Sequence, residues 1–113
     1  MSTGSSGYAL EKLSAAVHSL AVGRGDVRER LRNAFMGFHP VQERDFPDHL
    51  KEKWRWIKSE LTKFGPIEDN GGKVLEGSVD HTLRRIKNST GGKIAEAIVN
   101  LQSELDSYLR DAQ

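Results

Sequence analysis

The stretch Phe46–Phe64, FPDHLKEKWRWIKSELTKF, decides the fold class. Its apolar residues Phe46, Leu50, Trp54, Ile57, Leu61 and Phe64 recur at spacings of 4, 4, 3, 4 and 3. At about 100° per residue this rhythm stacks them on one face of a helix. Pro47 suits a first turn, where its missing N–H costs nothing. Asp45 and Asp48 favour the positive end of the helix, and Gly65-Pro66 stops it. Trp56 falls off the stripe, on the flank of the same helix.

The helical rhythm continues on both sides. Leu10, Leu13, Val17 and Leu20 predict a helix over 8–22, closed by Gly23 and Gly25. Val27, Leu31, Ala34, Phe35 and Phe38 predict a second over 27–38, with Asp26 as its N-cap and Glu29 three residues on. Pro40 ends it through the restriction on His39. Residues 65–73 read as a loop without a β-hairpin, since no alternating strands flank them. Leu75, Val79, Leu83 and Ile86 predict a helix starting at Val74 or at Val79, with Ser78 as cap. Ile94, Ile98, Leu101, Leu105 and Tyr108 predict a last helix to about residue 110, capped by Thr90. The rhythm also runs through Thr90, so residues 79–110 read either as two helices or as one kinked one.

The expected fold is therefore all-α, a compact antiparallel helical bundle of four to five helices. Residues 1–7 read as a flexible N-terminal tail and 8–111 as a single helical domain. The expected core is Leu10, Leu13, Val17, Leu20, Leu31, Phe35, Leu50, Trp54, Ile57, Leu61, Val79, Leu83, Ile86, Ile94, Ile98, Leu101 and Leu105, supplied mostly by the first, third and last helices.

Composition narrows the function classes without naming one. The 113 residues carry 17 basic and 16 acidic side chains and no cysteine. A missing cysteine removes disulfide, thiolate and zinc-finger chemistry, and fits a reducing, cytoplasmic setting. No apolar run is long enough to span a bilayer, so no membrane role is expected. Residues 1–7 lack the basic and apolar regions of a signal peptide.

Charge is nearly balanced overall but not along the chain. Residues 81–93 carry +4 between two stretches of −3, at 65–80 and 94–113. Arg84, Arg85, Lys87, Ser89, Thr90 and Lys93 form the candidate nucleic-acid or anion site, because a glycine-rich turn opening a helix presents free N–H groups. The spacing is not that of a P-loop and no strand precedes it, so nucleotide hydrolysis is not indicated. Read as a helix-turn-helix over 79–102, the segment offers Lys93, Glu96, Asn100 and Gln102 outward. An Asp80–Arg84 pair on one helix face would compete with such a role.

Trp56, Arg55 and Lys51 form the candidate partner-binding site, an aromatic side chain among basic ones. Asp45, Asp48, His49 and Glu52 have ligand-type side chains, but helix-start preferences explain the acids, and no metal is expected. Arg24-Gly25-Asp26 reads as a helix cap rather than an adhesion motif. No catalytic set and no cofactor motif is present, so an enzyme is not expected. The expectation is a non-enzymatic helical interaction module, an accessory or regulatory subunit with a protein partner or a second copy of itself. The alternative is a nucleic-acid-binding protein using the basic segment.

Overall fold

The computed structural model describes residues 4–112. Among them the order is α1 (Gly4–Val22), α2 (Val27–Phe38), a 3-10 turn (Glu43–Asp45), α3 (Asp48–Leu61), β1 (Ile67–Glu68), β2 (Val74–Glu76), α4 (Ser78–Arg85) and α5 (Asn88–Asp111). The architecture is the expected all-α bundle with one small hairpin added.

Helix α1 begins at Gly4, not Tyr8, which corrects the tail assignment for residues 4–7. The reason is a tertiary bond that periodicity does not show. Ser6 is buried, and its hydroxyl donates to the Asp45 carbonyl at 2.9 Å, tying the helix start to the turn before α3. Residues 1–3 of that expected tail lie outside the described residues. At the other end, the Arg30 guanidinium donates to the Leu20 carbonyl (2.9 Å), satisfying an end-of-helix acceptor. Gly23 is there for space: a Cβ would lie 2.6 Å from the Ser19 carbonyl oxygen and 2.9 Å from Arg30 Cγ. Gly25 supplies the left-handed turn, at φ +88. Asp26 then caps α2, its carboxylate accepting the Glu29 N–H at 3.1 Å.

The short link makes α1 and α2 an antiparallel pair, the most extensive helix contact in the molecule, and α5 lies against α1, α2 and α3. Leu13, Leu31, Leu50, Ile57, Leu61, Ile94, Ile98, Leu101 and Leu105 are fully buried. Leu10, Val17, Phe35 and Val79, all expected in the core, pack against its edge instead. Helix α2 contributes more than expected through Leu31, Ala34 and Phe38. Ala9 and Ala16 are buried where their small side chains let helices approach. Trp54 sits edge-on to Phe38 (5.5 Å between centroids) and tilted on Phe46 (5.1 Å), closing the bundle around the 3-10 turn.

The region between α3 and α5 departs most from expectation. Ile67–Glu68 pairs antiparallel with Val74–Glu76, so a hairpin forms where a loop was expected. Strands of two and three residues are too short to display alternation. The turn chemistry is legible instead: the Asp69 carboxylate accepts the N–H groups of Gly71 and Lys73, both at 2.9 Å, and Gly72 takes φ +85. Leu75 belongs to this hairpin and is 64% exposed, so it is no part of a helical stripe.

Helix α4 starts at Ser78 with Gly77 in the cap position. It ends at Arg85, because Ile86 and Lys87 are both extended at ψ 160. Two helices therefore form, and the break precedes Asn88. The segment Asn88–Gly92 is the first turn of α5 rather than an interhelical turn, and Lys87 rather than Thr90 holds the cap position. Gly91 is buried because α2 crosses it: a Cβ would stand 3.0 Å from Val27 Cγ1 and 3.5 Å from Leu31 Cδ1.

Candidate functional site

Two positions along a helix rotate a side chain by about 200°. With Leu50, Trp54, Ile57 and Leu61 turned inward, Trp56 must face out. It is 44% exposed, against 3% for Trp54. Its indole lines an open groove of about 550 Å³ between α3 and α5, with Ala97, Asn100 and Ser103 on the α5 side. Small side chains there leave the ring's flank uncovered. Lys53 bridges the groove to Glu104, its Nζ at 2.9 and 2.8 Å from the two carboxylate oxygens. Beyond that bridge the depression continues past Ser103 and Glu104 to His49, Ser107, Tyr108 and Asp111. The His49 and Tyr108 rings are 5.5 Å apart across it.

The other two residues of the expected partner site do not join Trp56. Arg55 pairs with Glu43 at 2.6 Å, on the side of the 3-10 turn. Lys51 is half-buried and pairs with Asp48 at 3.0 Å. The α5 half of the groove had no sequence signal beyond its position beside Ile98 and Leu101.

The basic segment is also divided. The Arg84 guanidinium holds Glu76 at 2.8 and 3.2 Å, fastening the hairpin to α4. The expected Asp80–Arg84 pair is absent, since Asp80 turns to Arg32 of α2 at 2.7 Å. These groups share a cleft of about 420 Å³ with Asp26, Arg28 and Glu29. Three guanidiniums face four carboxylates there, so the cleft carries no excess of positive charge. The hydrogen bond from Arg84 holds the Glu76 carboxyl below its ordinary range, and the Glu29 N–H, then Arg28, does the same for Asp26.

Arg85 lies over the Phe64 ring at 4.6 Å from its centroid. Lys87, Ser89 and Lys93 are exposed and Thr90 is half-buried, along the first turns of α5. Arg28 donates to the Ile86 carbonyl at 3.1 Å, bracing the α4–α5 junction from α2. As a helix-turn-helix the segment has only Ile86 and Lys87 between its helices. Glu96 and Asn100 face out beside Lys93, whereas Gln102 is half-buried and donates to the Ser14 hydroxyl at 3.2 Å.

Two polar contacts that the sequence did not signal fix α4. Thr82 is fully buried and accepts the Phe64 N–H at 3.0 Å. His81 Nδ1 lies 2.8 Å from the Gly65 carbonyl, which can only accept, so Nδ1 carries the proton. Asp45, Asp48, His49 and Glu52 do not converge. Asp45 accepts the Gln42 N–H at 2.8 Å, and no three metal-ligating side chains come together among the described residues. No helix among them is long and apolar enough to cross a membrane. Comparison with protein families, with curated proteins and with solved structures finds no match to this chain.

Proposed function

We propose that the chain is a non-enzymatic interaction module, an accessory or regulatory subunit that receives a helix of a protein partner in the groove between α3 and α5. The observation that carries this reading is Trp56, left 44% exposed beside the small side chains of Ala97 and Ser103. A large amphipathic ring at the edge of a helix-lined groove is the kind of anchor that dominates helix-in-groove binding. The Lys53–Glu104 bridge gives the rim both signs of charge, which suits an amphipathic helix better than a polyanion. The setting proposed for this module is the cytoplasm, in keeping with a sequence free of cysteine.

The test is capture from host lysate by immobilised wild type and Trp56→Ala, with and without nuclease. The expected result is a protein that survives nuclease and is lost with Trp56→Ala. Identical capture by both forms overturns the reading.

One observation favours a second reading. Arg85, Lys87 and Lys93 are exposed, and none lies within 4.0 Å of a carboxylate among the described residues. Nucleic acid bound there would show affinity falling steeply with salt, because counterions are released. An electrophoretic shift that Lys87→Glu abolishes and Trp56→Ala preserves would move the function to that segment.

A further inference from the structure

The outward face of α1 repeats every three and four residues just as the inward one does. Tyr8, Glu11, Ala15, His18 and Val22 are all exposed. At about 100° per residue they fall in a sector of roughly 80°, opposite the buried Ala9, Leu13, Ala16 and Leu20. A 3-4-3-4 seam is the pattern by which one helix packs along another. Nothing among the described residues covers it: Tyr8 is 38% and Val22 64% exposed. Its flanks are small, with Gly7, Ser14 and Ala21 on one side, and Lys12 is drawn over the Tyr8 ring at 5.5 Å on the other.

The order of these residues selects the occupant. About a two-fold axis at Ala15, an antiparallel second copy of α1 sets Tyr8 toward Val22 and Glu11 toward His18, twice over. Ala15 meets Ala15, which lets the axes approach closely. An imidazole N–H donates to a carboxylate in either protonation state, so the polar layer is matched. The parallel arrangement would set Glu11 against Glu11. From this self-complementarity we infer that the chain forms an antiparallel dimer through the outer face of α1. The inference is independent of the α3–α5 groove, which lies on other helices.

The seam is about 21 Å long at 1.5 Å per residue, so the contact is small and the dimer weak. Sedimentation equilibrium of the full chain, up to about 1 mM, reads it directly. The expected result is a concentration-dependent dimer whose dissociation constant rises about tenfold or more in Ala15→Glu. Glu11→Lys and His18→Glu should each weaken it, and the double variant should restore it by exchanging the two charges. All three positions are exposed, and far-ultraviolet circular dichroism checks that each variant is folded. A wild type that stays monomeric throughout overturns the inference. So does a dimer indifferent to Ala15→Glu, a double variant without rescue, or a dimer lost only with Trp56→Ala.

Discussion

Trp54 and Trp56 stand on the same helix with one residue between them, and they divide its work. Trp54 faces the bundle, where Phe38 and Phe46 pack its ring and the chain around the 3-10 turn is held to α3. Trp56 lines the α5 groove opposite small side chains that leave it open. The residue type is the same and the local sequence is shared. What differs is the angle to the apolar stripe, so position on the helix decides whether an indole is buried in the bundle or left exposed at a groove. Gly91 and Gly92 repeat the contrast on α5: a Cβ on the first meets Val27 at 3.0 Å, and on the second meets nothing within 4 Å.

The contrast breaks most visibly at Trp54. Trp54→Ala empties the space between Phe38 and Phe46 and should lower unfolding free energy by about 3–5 kcal/mol in denaturant titration. Next comes Gly91→Val, which forces Val27 and Leu31 of α2 aside and should cost about 1–3 kcal/mol by the same measurement. Gly92→Ala should do the reverse. It adds a helix former in open space and should stabilise by roughly 0.5–1 kcal/mol, seen as a raised melting temperature.

A smaller effect separates the cap of α2 from the core. The Asp26 carboxyl titrates below its ordinary 3.8, held down by the Glu29 N–H. A group with a depressed folded value adds stability above the unfolded value and loses it as pH falls through the folded one. Asp26→Asn keeps a capping oxygen but removes the titration. Its melting temperature should therefore fall less than that of wild type between pH 5 and 3, in about the window where the free carboxyl takes up its proton. Glu76, held down by Arg84, adds to the same acid limb, so Glu76→Gln should flatten it further.

The bundle was legible because burial imposes a period. Leu13, Ile57, Ile98 and Leu105 are where the 3/4 spacing puts them, and Asp26 caps α2 as its chemistry predicts. The hairpin was not, because two- and three-residue strands are too short to carry a period and Leu75 continued the helical rhythm by coincidence. The start of α1 and the exact place of the α4–α5 break are not legible for a related reason. Ser6 and Ile86 take their positions from partners 39 and 58 residues away, Asp45 and Arg28. At the candidate site, Trp56 was legible as a large ring off the stripe. Arg55 and Lys51 stand close to it in sequence, yet Glu43 and Asp48 direct them elsewhere.

The outer face of α3 is proposed to serve binding and not stability. Substituting Trp56 by Ala tests both halves together, with denaturant titration and partner capture run on the same preparation. Unfolding free energy should stay within about 0.5 kcal/mol of wild type, and the captured protein should be lost. A variant that unfolds as easily as Trp54→Ala, or one that retains every captured protein, would contradict it.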